Sequence, residues 1–191
     1  MHYVLDILQG AGLALACGIN PFLPVLLAGA LASARVGIDF RGTPFAFLED
    51  GWFLLAVTVA FVASVLLRAR FETPAARAAL GGLGIGFGAL IAAACVADRS
   101  HVWWPGLIAG VACAAIAGAA TNQLLTRTRR RLDRQAAAAL PVYTAGISLV
   151  EGVLTVLVPP LTILALAFFA WLTAAGRRRE GEKYAGLRIL R

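Results

Sequence analysis

Five long apolar runs dominate the chain, and Glu151 is the one charged residue inside any of them. The runs are Ile7–Ala34, Trp52–Leu67, Ala78–Ala97, Val102–Thr126 and Pro141–Gly176. A helix needs roughly 20 apolar residues to cross a bilayer, so these runs predict membrane-spanning helices rather than the core of a soluble domain. The last run is far too long for one straight helix at about 1.5 Å of rise per residue. Pro159-Pro160 falls inside it, and proline removes a backbone donor and clashes with the preceding turn. Two helices therefore meet at that pair, the second over Leu161–Ala175. The first run is interrupted at Asn20-Pro21, with Gly18 before and Pro24 after. One kinked crossing is the favoured reading, and two half-helices in a re-entrant hairpin are the alternative. The prediction is an all-α, polytopic transmembrane bundle of about six spans, interrupted near Asn20-Pro21 and Pro159-Pro160.

Composition agrees. The chain has 191 residues, 60% hydrophobic and 14% charged, more apolar surface than a soluble domain of this length can hide. The N-terminus carries Asp6 and no basic segment, and its apolar run exceeds the roughly 7–15 residues of a signal-peptide core. It is read as a retained span.

The net charge of +7 is concentrated beside the apolar runs, in Arg127, Arg129, Arg130, Arg131 and Arg134 and again in Arg177, Arg178, Arg179, Lys183, Arg188 and Arg191. Positive charge so placed fixes topology and meets anionic lipid headgroups. No aromatic-interleaved basic surface accompanies it, so nucleic acid is not an expected partner. Positive-inside logic puts 68–77, 126–138 and the tail in the cytoplasm, with 35–51 and 98–102 outside. We expect one transmembrane domain over 1–176 and a basic cytoplasmic tail over 177–191, in the plasma or inner membrane.

Glycines 81, 82, 84, 86 and 88 do not form a nucleotide loop, since neither a preceding strand nor a P-loop lysine is present. Small residues at four-residue spacing, as in Gly82/Gly86 and Gly84/Gly88, instead let helices approach closely. Gly106, Gly110, Ala114 and Gly118 repeat the pattern in the next run. Cys17, Cys95 and Cys113 have no C-x-x-C spacing and read as packing residues.

The candidate chemistry is sparse. Glu151 is a lone carboxylate deep in an uncharged run, and such an acid faces a partner, a wet cavity or a working site. Its other reading is a structural acid hydrogen-bonded to Asn122, Gln123 or Tyr143. Asn20 lies in a helix break that offers free carbonyls and a half-helix N-terminus to an ion or polar solute, or else caps that break itself. ACGINPFLPVLLAG (16–29) weakly echoes TAGISLVEGVLTVL (144–157), placing Asn20 opposite Ser148. No H-E-x-x-H, no G-x-S-x-G and no acid cluster occurs. No catalytic residue, metal or cofactor is therefore expected, and an enzyme is disfavoured.

GINPFLPVLLAGALA, the following FAFLEDGWFLL, and PVYTAGISLVEGVLTVLVPPLTILALA together resemble the family of small bacterial membrane proteins known as domain of unknown function 4126. The likeness covers roughly residues 7–175, anchored by Gly-Ile-x-Pro-[Phe/Tyr] and by Ser148-Leu149-Val150-Glu151. It implies a membrane bundle in which Pro21 and Glu151 belong to the family pattern, and it names no substrate. This chain departs from the pattern at Gly152, where an acid is common, and at Arg68-Ala69-Arg70, where many members carry an acid–lysine pair.

The resulting expectation is a transporter or channel for a small solute or ion. Its polar midplane site would be formed by Gly18, Asn20, Pro21, Ser148 and Glu151. The alternative is a non-catalytic scaffold or accessory subunit. Either suits a homo-oligomer.

Overall fold

In the computed structural model, which describes residues 2–67, 73–97, 102–129 and 134–185, every long element is helical. The helices are α1 (His2–Ile19), α2 (Leu23–Ser33), α3 (Gly51–Leu66), α4 (Pro74–Ala97), α5 (Trp104–Arg129), α6 (Arg134–Leu157) and α7 (Leu161–Ala185), with a short 3-10 turn at Ala46–Glu49. Three have stretches long and apolar enough to cross a membrane, at 75–97, 104–128 and 139–157. The expected turn at Pro159-Pro160 is present. Leu161 N–H donates to Val158 O at 3.0 Å and Thr162 N–H to Pro159 O at 3.1 Å, which starts α7 immediately. Rather than ending at Ala175, α7 continues as helix through Gly176 to Ala185.

The first helix forms the core. Every residue from Gly10 to Cys17 is buried, and α1 packs against α4, α5, α6 and α7. Glycine makes this possible, because only a missing side chain lets helix backbones approach so closely. A Cβ on Gly84 would stand 2.7 Å from the Cys17 carbonyl oxygen, and one on Gly110 would stand 2.6 Å from Gly88 O. Gly88 meets Ala14 and Ala114, while Gly106 meets Ala92 and Val96. The predicted Gly84/Gly88 and Gly106/Gly110 contacts are therefore made. Gly82 and Gly86, two residues out of phase, have nothing within 4 Å and lie on the outer face of α4.

The favoured single kinked crossing of residues 7–34 is not what forms. Gln9 Nε2, in the first half of α1, donates to Gly37 O at 3.1 Å, just past the end of α2. The chain has reversed at Asn20-Pro21, so α1 and α2 form a helical hairpin with both outer ends at one end of the bundle. Pro21 and Pro24 permit a break, but a break fixes no angle, and here the angle is a full return. The turn lies deep. Gly18 packs against Ala114, Ala117 and Gly118, near the middle of α5, and Cys17 packs at Gly84, near the middle of α4.

Residues 34–50 close the mouth of the hairpin. α2 ends in a Schellman turn, with Val36 N–H donating to Leu31 O at 2.9 Å, Arg35 N–H to Ala32 O at 3.0 Å, and Arg35 left-handed at φ 59. Ile38, Phe40, Phe45 and Leu48 are then buried, Phe45 lying edge-on to Trp103. Arg41 pairs with Glu49 at 3.2 Å on the surface above. The opposite end gathers the N-termini of α4 and α6 and the C-terminus of α5, where Arg127 reaches Gly176 of α7.

Candidate functional site

A helix leaves its last four carbonyls without intrahelical donors, and α1 ends part-way along the bundle, so other elements supply partners. Ala16 O accepts from Asn20 N–H at 3.0 Å and from the Ser148 hydroxyl of α6 at 3.1 Å. Ser148 has no exposed surface, so this bond ties α6 to the last turn of α1 in the interior. The Cys17 carbonyl lies against Gly84 and the Gly18 carbonyl against Gly118.

Across the break, Asn20 serves the next helix. Its Oδ1 accepts from Phe22 N–H at 3.0 Å and Leu23 N–H at 3.3 Å, two of the amides that α2 leaves unbonded at its start. Half-buried Pro21 brings no donor that would need satisfying. The side chain of Asn20 thus caps its own turn and makes no hydrogen bond to α6.

On α6 a single face meets the hairpin. Ser148 and Thr155 are buried, and Gly152 packs against Leu27 of α2 and Leu13 of α1. At 3.6 residues per turn, Glu151 sits about 60° to one side of Ser148 and Gly152 about 40° to the other. Val156, further round on the Gly152 side, meets Gly37 beyond α2. Glu151 therefore lies on the edge of this face turned away from α2. It is half-buried and makes no hydrogen bond or ion pair among the described residues.

The sequence-based site residues separate into two groups. Ser148 meets the α1 turn that carries Gly18, while Asn20 and Pro21 complete the hairpin itself. Glu151 stands one helical turn from Ser148 on the same side of α6. The echo between Asn20 and Ser148 has no backbone counterpart, because α6 stays helical through Ser148, where no proline follows.

Four polar or glycine positions had not been singled out. Gly12 of α1 faces both Thr155 of α6 and Thr162 of α7, and a Cβ there would collide with both side chains. Each threonine is 1% exposed, and the Thr162 hydroxyl has no hydrogen-bond partner among the described residues. Asp6 is buried one turn before Gly10. The missed signal was the seven-residue spacing of small hydroxyls, Ser148, Thr155 and Thr162, in a run whose one charge is Glu151. Together they form a polar line along α1, with Ser148 on Ala16 O near the hairpin turn and Thr155 and Thr162 beside Gly12 one turn earlier.

The family described as Domain of unknown function (DUF4126) matches residues 7–179. The chain belongs to the DUF4126 family. No curated protein and no solved structure matches it. The matched span takes in the α1–α2 hairpin from Ile7 onward, the residues of the polar line and Glu151.

Proposed function

We propose that this DUF4126 chain is a multi-pass membrane protein of the transport type, working on a small cation or proton at the α1–α2 turn and Glu151. One observation carries the reading. A helix ends and reverses at the mid-length of the long helices, with Ser148 donating to its Ala16 carbonyl and a carboxylate one turn along α6. Half-helix ends and exposed carbonyls at membrane depth are how many transporters bind ions, and an acid in hydrocarbon is tolerated mainly where it works or is paired. With the arginine-rich end cytoplasmic, the hairpin enters from the outer side and its N-terminus lies outside, while the C-terminus stays inside.

The experiment is proton flux into proteoliposomes carrying a trapped pH dye, with Na⁺ or K⁺ as counter-ion. The wild-type chain should dissipate an imposed pH gradient faster than empty vesicles, and Glu151→Gln should lose that excess. Equal rates for the two chains would remove Glu151 from the mechanism.

A second reading is a scaffold or accessory subunit, supported by Gly81, Gly82 and Gly86, which leave the outer face of α4 open to a close helix contact. It predicts a defined oligomer or complex in detergent and no flux from either chain.

A further inference from the structure

At the arginine-rich end of the bundle α5 and α7 diverge around a cavity of about 150 Å³, well above the roughly 10–15 Å³ that one water needs. Its polar wall is Gln123 and Arg127, and its apolar wall is Leu124, Trp171, Leu172 and Ala175. Arg127 Nη2 donates to Gly176 O at 3.2 Å, which anchors the guanidinium across the gap. The lack of a side chain at Gly176 is what allows this, since a Cβ there would strike the Gln123 amide and stand 3.2 Å from Arg127 Nη2. The Gln123 Oε1 atom is buried and has no hydrogen-bond partner among the described residues. An anchored guanidinium, an amide and a greasy wall ending in an exposed tryptophan thus meet at the arginine-rich end of α5 and α7.

We propose that this cavity binds the phosphate of an anionic phospholipid, with an acyl chain along Leu124 and Leu172. The guanidinium fork matches phosphate oxygens in plane and charge. The Gln123 amide lies beside it for a headgroup hydroxyl such as that of phosphatidylglycerol. Basic pockets between helices on the cytoplasmic side are a recurrent form of lipid recognition. Diffuse attraction of anionic lipid to the arginine clusters would not require the cavity. The proposal rests on the chain residing in a membrane and is independent of transport.

The test is native mass spectrometry of the full chain taken from bilayers of equal phosphatidylglycerol and phosphatidylcholine, scoring retained lipid. The wild-type chain should retain phosphatidylglycerol in preference. Arg127→Gln should lower that retention about tenfold, the effect of losing a charge-assisted contact. Ala175→Phe, which fills the cavity without altering charge, should lower it as much. Arg188→Gln removes the same charge from the tail and should leave retention unchanged. Should Arg127→Gln fail to fold, Ala175→Phe decides alone. Equal losses from Arg188→Gln and Arg127→Gln, or full retention in Ala175→Phe, would overturn the site. Displacement of the lipid by excess inorganic phosphate would overturn the lipid as its occupant in favour of a free-phosphate site.

Discussion

Alanine at Gly84 and at Gly86 makes a matched pair of perturbations. Both glycines lie in α4, two residues apart, and replacing either gains the same intrinsic helix propensity, about 0.8–1 kcal/mol. Only their surroundings differ. The Cβ of Gly86→Ala meets nothing within 4 Å, so the propensity gain should appear as increased stability. The Cβ of Gly84→Ala would sit 2.7 Å from the Cys17 carbonyl oxygen, and ordinary contact begins near 3.4 Å, so the backbones of α1 and α4 must part by roughly 0.7 Å. Cys17 is fully buried and belongs to the last turn of α1, so no free side chain can absorb the shift. Overpacking of this kind costs about 1–3 kcal/mol. Since propensity cancels between the two variants, their difference should be that cost alone. Unfolding in detergent mixtures with rising sodium dodecyl sulfate, followed by tryptophan fluorescence, reads it directly. Equal midpoints for the two variants would mean that α1 does not terminate against α4 at mid-bundle, and the packing account would fail.

Two further substitutions examine the polar groups of the interior. Asn20→Ala removes the acceptor that caps α2 and should cost about 1 kcal/mol in the same titration, whereas Asn20→Ser, an uncharged capping residue, should cost clearly less; equal losses would show that the cap is not what Asn20 supplies. Thr162→Val replaces a buried hydroxyl without a partner by a methyl of similar shape, so stability should hold or rise by a few tenths of a kcal/mol. A loss above about 1 kcal/mol would show that the hydroxyl is bonded in the folded protein.

Much of the fold could be read from charge and proline placement. α3, α4 and α5 fall within a few residues of the uncharged runs that predicted them, and Pro159-Pro160 marks the α6–α7 turn because proline has only a local effect and needs no tertiary information. Three features were not legible, each for a physical reason. Asn20-Pro21 announces a break but not its angle, which is set by α2 packing back on α1 and α6 and by Gln9 reaching Gly37. Phe40 and Phe45 sit among charges in a loop segment, so nothing in the sequence marks them as core, yet they are buried beneath the hairpin mouth. The glycine pattern in α4 offered two phases equally, and only the neighbours of Gly84 and Gly88 distinguish the packed face from the open one.

Within the candidate site, Glu151 and the Gly18–Pro21 break were legible because a lone charge or a helix-breaking proline stands out in a long apolar run. Thr155 and Thr162 were not, since a lone hydroxyl is cheap in a helix and stands out only once Gly12 is seen opposite.

The hairpin is the claim on which the fold and the proposed site both depend, and sidedness tests it most directly. Single cysteines replacing Tyr3 and Gly42, both exposed, flank the α1–α2 unit, while the native Cys17, Cys95 and Cys113 are buried. Labelling of sealed, uniformly oriented vesicles with a membrane-impermeant maleimide then reports the side of each. The account predicts that both cysteines label from the same face of the membrane. Labelling from opposite faces would establish a single crossing and contradict it.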